Sequence, residues 1–128
     1  MQLDHANHRR DLRLRRRLLL VLHAARVRPE YGWVSGRFLY DLIDGALPGG
    51  QRFEGDDHVT ALLRDLVAAG HAEQRDDRWK TYQPESLDFT SYRITHRGTA
   101  LVEQHVDPDP LVEDDRVRRN SRPGAGGQ

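Results

Sequence analysis

Two stretches of the chain, residues 56–73 and residues 92–102, carry the clearest structural pattern. In the first stretch apolar residues recur at helical spacing, which predicts an amphipathic helix. Gly70 then follows where a left-handed residue commonly ends a helix. The second stretch predicts a strand that leads into another helix, with Thr95 as its cap. The order helix, glycine stop, strand, hairpin, strand and helix therefore narrows the fold to a small α+β architecture.

The other helices follow from the same periodicity. The first is predicted from about His8 to Ala25, with Asn7 or Asp11 as its cap. The second is predicted from about Gly36 to Ala46, with Ser35 as its cap, and Asp56 or Asp57 is expected to cap the third. The predicted buried positions of the three helices are Leu14, Leu18, Val21, Leu22 and Ala25; Phe38, Leu39, Leu42, Ile43 and Leu47; and Val59, Leu62, Leu63, Leu66 and Val67.

The strands are the least regular part of the sequence. Trp33 and Val34 are predicted to form a short first strand. Residues 72–82 and 87–95 are predicted to form a hairpin that turns at residues 83–86, and a fourth helix is predicted at about 96–105. Leu87 and Phe89 alternate in the opposite phase to the apolar residues after them, so a bulge or break is expected near Thr90.

Together these elements predict a mainly α fold with a small antiparallel β-hairpin (α+β), of the winged helix-turn-helix type. A length of 128 residues predicts one domain. We expect a basic N-terminal arm at residues 1–10, the winged-helix domain at 11–106, and a polar, disordered tail at 107–128.

Two short motifs carry a resemblance to a known family. Residues 62–72, read with residues 92–101, resemble bacterial winged-helix regulators of the MarR and PadR kind. In that superfamily a leucine-rich recognition helix ends in alanine-glycine, and the last wing strand ends in a hydrophobic-Thr-x-x-Gly turn. A looser similarity, over about residues 11–111, is to small winged-helix proteins of Mu-like phages and prophages. The resemblance implies a regulator or a mobile-element accessory protein.

Charge is strongly segregated along the chain, although the net charge is zero. Residues 1–37 carry nine arginines and three acidic residues, a net of +6, and residues 38–115 carry a net of −10. Residues 116–128 contribute four arginines and no acid. Such asymmetry indicates either a polyanionic partner for the ends or ends that dock on the chain's own body.

Several classes of function are disfavoured by what the sequence lacks. There is no cysteine, no apolar run of membrane-spanning length and no segment of signal-peptide form, which favours a cytoplasmic protein. The seven histidines are poorly spaced for zinc, so we expect neither a metal nor a cofactor. No phosphate loop or nucleophile elbow is present, so we expect no enzymatic activity.

The leading hypothesis is binding of double-stranded DNA, mostly through phosphate contacts. Six arginines between Arg9 and Arg17, Arg15 among them, form the strongest signal, because each could neutralise a phosphate. The predicted DNA-binding residues are Arg9, Arg10, Arg13, Arg16, Arg17, Thr60, Arg64, Arg75, Arg78 and Lys80. A homodimer through the first and fourth helices is also expected.

Other observations keep an alternative open. The outer face of the third helix is expected to carry Asp65, two aspartates at its start and Arg64 as its one obvious basic residue. The hairpin's aromatic residues are more readily explained by packing than by nucleic-acid contact. The arginines near the N-terminus could equally pair with the acidic body. The alternative function is therefore a winged-helix protein-interaction module that does not bind DNA.

Overall fold

The computed structural model describes residues 2–27, 32–44, 46, 52–76 and 87–114, with side chains described from residue 7 onward. This part of the chain contains four helices and one three-stranded antiparallel sheet, a mixed α+β fold. In chain order the elements are α1 (Gln2–Ala25), β1 (Val34–Ser35), α2 (Gly36–Asp44), α3 (Asp56–Ala68), β2 (Ala72–Asp76), β3 (Thr90–Ile94) and α4 (His96–Val102).

Helix α1 forms the centre of the core. Leu14, Leu18 and Leu22 are completely buried, and the helix contacts α2, α3, α4 and β3. The helix begins at Gln2, so the predicted start near His8 is wrong, as are the predicted caps. No proline or glycine interrupts the first ten residues, and a helix continues readily where nothing breaks it. The expected basic arm is therefore the first part of α1.

Helix α2 confirms its predicted cap but only part of its predicted buried face. The Ser35 hydroxyl accepts a hydrogen bond from the Phe38 N–H at 3.1 Å. Leu39 and Ile43 are buried, whereas Phe38 and Leu42 are 45% and 47% exposed. The helix has apolar residues on two sides, and only one side can face the core. It ends at Asp44, and the expected buried residue at position 47 lies outside the described residues.

Helix α3 is preceded by Gly55 and is followed, after its C-cap Ala69, by Gly70. Its N-cap is Gly55, and neither Asp56 nor Asp57 supplies a side-chain cap, so that prediction is wrong. The two aspartates lie instead in the first turn, where the helix dipole favours negative charge. At the other end Gly70 has φ 83°, and its N–H donates to the Val67 carbonyl at 3.0 Å, which confirms the predicted stop.

The sheet has the strand order β1-β3-β2, so β3 is central. The ladder between β2 and β3 runs without a bulge from Ala72 opposite Ile94 to Asp76 opposite Thr90. The change of phase that was expected near Thr90 coincides with the start of β3. The residues before it, 87–89, form a turn and are not part of the strand. Strand β1 pairs Val34 with Tyr92. The outer parts of the predicted hairpin, including its turn at 83–86, lie outside the described residues.

Helix α4 is anchored by its cap and is shorter than expected, ending at Val102. The Thr95 hydroxyl accepts from the Gly98 N–H at 3.0 Å and donates to the Gly70 carbonyl at 2.6 Å. These two hydrogen bonds of one side chain join α4 to the turn after α3. They give a physical reason for the threonine of the Thr-x-x-Gly motif.

Residues 109–114, called here the C-terminal segment, fold back onto α1. Val112 is only 8% exposed, and the Glu113 N–H donates to the Leu12 carbonyl at 3.2 Å. Packed structure therefore continues beyond residue 106, where the winged-helix domain is expected to end. The remainder of the predicted tail, residues 115–128, lies outside the described residues. Within the part of the chain that the structure describes, no helix is both long enough and apolar enough to cross a bilayer.

Candidate nucleic-acid interface

One face of α1 carries arginines that point away from the core. Arg9, Arg13 and Arg17 are exposed and four residues apart, so they share one side of the helix, and the half-buried Arg16 lies at its edge. These four residues are called here the arginine stripe. From Arg9 to Arg17 the stripe is about 12 Å long, at 1.5 Å of rise per residue.

The members of the stripe differ in what they contact. Among the described residues, Arg9 and Arg17 make no ion pair. Arg13 Nε donates to Glu113 Oε2 at 3.3 Å, and Arg16 Nη1 lies 3.9 Å from Glu113 Oε1. Solvent-exposed pairs of this kind contribute at most about 1 kcal/mol, so an external anion can replace the carboxylate.

Arg10 faces the start of α3. Its guanidinium donates to Glu54 at 2.8 Å and to Asp11 at 3.2 Å. Partial burial disfavours the charge, but the hydrogen bonds outweigh this effect and raise the pKa of Arg10. His58 completes the cluster, with Nε2 at 2.9 Å from Asp11 and Nδ1 accepting from the Glu54 N–H. Arg10, predicted as a DNA contact, instead joins α1 to α3.

Arg15, which the sequence offered as another phosphate contact, is part of the packed interior. It is 9% exposed, and its guanidinium donates to Asp65 at 2.7 Å and to the Leu111 carbonyl at 3.1 Å. Asp65, expected on the outer face of α3, therefore points towards α1. A signal in the sequence was available, because Arg15 lies three residues before Leu18 on the apolar side of the helix.

The outward face of α3 offers few groups that could contact bases. Its exposed positions are Asp56, Asp57, Ala61, Arg64 and Ala68. Thr60, a predicted contact, is partly buried and its hydroxyl donates to the Asp56 carbonyl of its own helix. Alanine offers no hydrogen-bonding group to a base edge, so direct readout from this face is limited.

Arg37 has a structural role that the sequence did not indicate. It donates to Asp56 at the start of α3 and to Asp88 in the turn before β3. These hydrogen bonds raise the pKa of Arg37. One of the two acidic charges at the leading end of α3 is thus neutralised within the chain.

The exposed side of the sheet carries a tryptophan held by two arginines. The guanidinium carbons of Arg75 and Arg93 each lie 4.7 Å from the centroid of the Trp33 ring. Arg93 also donates to Glu73 at 2.8 Å. Arg75, a predicted DNA contact, is therefore placed against Trp33. The predicted contacts Arg78 and Lys80 lie outside the described residues.

The C-terminal segment is fastened at its start by a buried histidine. His71 is 2% exposed, and its Nε2 lies 2.6 Å from Asp109 Oδ2, so we assign the ring proton to Nε2. The Leu111 N–H donates to the other carboxylate oxygen at 2.9 Å. In the described residues no group of three or more histidine, cysteine, aspartate or glutamate side chains could hold a metal ion.

We expect Asp109 to titrate below the ordinary aspartate pKa. Burial alone would raise the pKa of this carboxyl, but the hydrogen bonds from the Leu111 N–H and the His71 ring lower it. Its stabilising contribution is therefore complete above about pH 4 and is lost as the pH falls through the lowered value. An NMR titration of the Asp109 carboxyl carbon measures this directly. A midpoint at or above the ordinary value contradicts the expectation.

No protein-family model matches this chain, and no curated protein or solved structure matches it either.

Proposed function

We propose that the chain is a cytoplasmic winged-helix protein that binds double-stranded DNA, in transcriptional or mobile-element control. The fold part of the proposal is supported by the element order α-β-α-α-β-β-α and by the position of β1 beside β3. In this arrangement α2 and α3 are the helix-turn-helix pair, and β2 and β3 are the strands of the wing.

The arginine stripe is the observation that carries the DNA-binding part. Arg9 and Arg17 are exposed cations, and Arg13 is 45% exposed despite its pair with Glu113. A row of guanidiniums on one helix face matches a row of phosphates, and each contact releases counterions from DNA. Because the outward face of α3 is poor in hydrogen-bonding groups, the binding is mostly phosphate-directed and weakly selective for sequence.

A protein-interaction module is the second candidate, and a specific observation favours it. Phe38 and Leu42 lie one helical turn apart on α2, and both are about half exposed. Large apolar side chains in such positions are typical of surfaces that contact another protein. A homodimer through α1 and α4 is a further proposal, supported by Leu20, which is 37% exposed on α1.

The test of DNA binding is the triple variant Arg9→Gln, Arg13→Gln, Arg17→Gln. Duplex binding is measured by fluorescence anisotropy on DNA of random sequence, from about 50 to about 200 mM salt. The variant is expected to bind about a hundredfold more weakly, and its log–log salt dependence is expected to be shallower by roughly 0.9 for each phosphate that is no longer neutralised.

The matched control removes three arginines that lie off the stripe: Arg26→Gln, Arg52→Gln and Arg97→Gln. It changes the net charge by the same amount, so a general effect of charge is expected to weaken the DNA binding of both triple variants equally. A wild-type chain that ignores duplex even at the lowest salt overturns the DNA proposal and favours the interaction module. In that case the stripe variant is expected to change the oligomeric state, measured by sedimentation.

A further inference from the structure

We propose that the C-terminal segment is an internal competitor of DNA, with the Glu113 carboxylate in the place that a phosphate takes on Arg13 and Arg16. The inference rests on the proposed function, and it adds a means of regulation to the same surface. DNA and the docked Glu113 side chain exclude each other at these two guanidiniums.

The segment reaches the stripe because its backbone is fixed to the body at several points. Asp109 is tied to His71, the Leu111 carbonyl accepts from Arg15, and the Glu113 N–H donates to the Leu12 carbonyl. Val112 is buried between these contacts. Hydrogen bonds at Asp109, Leu111 and the Glu113 N–H, together with the packing of Val112, thus hold the segment on α1 without using the Glu113 carboxylate.

The geometry of the carboxylate resembles that of a bridging phosphate. Its two oxygens approach different guanidiniums, Oε2 that of Arg13 at 3.3 Å and Oε1 that of Arg16 at 3.9 Å. Strong charge-assisted hydrogen bonds are shorter, at about 2.7–2.9 Å. Both arginine side chains also keep solvent exposure, 45% for Arg13 and 31% for Arg16. The pair is therefore loose enough to exchange with a phosphate from solvent.

DNA must displace Glu113 before it can contact Arg13 and Arg16. The free energy lost with the broken ion pairs offsets part of the free energy gained from the phosphate contacts, so the docked segment lowers the affinity for DNA. The body stays assembled when the side chain is released, since the backbone contacts of the segment do not use the carboxylate. Any agent that draws the segment away from α1 is expected to raise DNA binding. The docked C-terminal segment therefore determines how strongly the chain binds DNA.

The test compares Glu113→Gln with Glu103→Gln on the full chain and the same random-sequence duplex. Glu103 pairs with His23 and Arg26 at the far end of α1, so its variant removes one negative charge away from the stripe. Glu113→Gln is expected to bind DNA about two- to tenfold more tightly than wild type, the range set by one or two exposed ion pairs. Glu103→Gln is expected to match wild type.

A second arm identifies the arginines through which Glu113 acts. Arg13→Gln is expected to weaken binding more in the Glu113→Gln background than in wild type, because Arg13 is then available to phosphate. Asp109→Asn keeps the Glu113 side chain but weakens the anchor at His71, so the segment leaves α1 more readily and DNA binding is expected to tighten. Thermal unfolding of each variant confirms that the proteins compared are folded.

The outcomes separate the two proposals. A wild-type chain that binds, with Glu113→Gln no tighter or with Glu103→Gln equally improved, overturns the competitor and leaves DNA binding standing. Absence of binding by every variant at about 50 mM salt overturns both.

Discussion

The Gly98→Ala variant is expected to lose about 2–3 kcal/mol of unfolding free energy, the usual cost of an extra methyl group in a packed site. A Cβ atom at this position lies less than 3.0 Å from the His71 carbonyl oxygen and from Ile94 Cγ1. The carbonyl cannot simply move aside, since it accepts the Thr95 N–H at 3.1 Å. The variant therefore pushes α4 away from the turn after α3.

Urea unfolding followed by circular dichroism measures this loss. The control is His96→Ala, at the exposed first residue of the same helix, where a change within about 0.5 kcal/mol is expected. If the two variants unfold at the same urea concentration, α4 does not lie as close to the His71 carbonyl as described. Gly98 does not have a positive φ, so the expected effect comes from lack of space and not from backbone strain.

Leu18→Ala is expected to cost about 2–5 kcal/mol, because it removes a completely buried side chain from the centre of the core. The matched control is Leu20→Ala, the same substitution two residues later on the opposite side of α1. Leu20 is 37% exposed, so its truncation is expected to cost under about 1 kcal/mol. The comparison tests which face of α1 packs inward.

The same pair of variants also reports on association. Thermal unfolding is measured at several protein concentrations for both. If Leu20→Ala loses much of the unfolding free energy while the unfolding temperature rises with protein concentration, the side of α1 that carries Leu20 is covered in an oligomer. The small cost is expected of a single chain, so that result supports the homodimer proposal.

The parts of the fold that could be predicted from sequence depend on local chemistry. Ser35, Thr95 and Gly70 act on backbone groups within a few residues of themselves, so their types and positions suffice. The buried faces of α1 and α3 follow from helical periodicity. The exposed side of α2 could not be predicted, because Phe38 and Leu42 satisfy that periodicity as well as Leu39 and Ile43 do. The tertiary contacts of α2, not its sequence, decide between them.

The candidate site was predictable in composition but not in pairing. Arginine is in excess near the N-terminus and acidic residues are in excess further along the chain. This pattern indicates that the two charged regions bind each other or a charged partner. Which residues meet depends on contacts far apart in sequence, such as Arg15 with Asp65 and Arg13 with Glu113. Of the eight predicted contacts that lie within the described residues, only Arg9, Arg13, Arg16 and Arg17 form one continuous surface.

The ion pair between Arg13 and Glu113 joins residues that are 100 positions apart. During synthesis, which runs from the N-terminus, α1 leaves the ribosome long before residue 113 is made. The nascent chain therefore presents Arg13 and Arg16 without their carboxylate, close to ribosomal RNA, a dense polyanion. Synthesis of residue 113 is the event that first supplies that carboxylate. In this protein a residue near the end of the described fold thus supplies the partner of two arginines in the first helix.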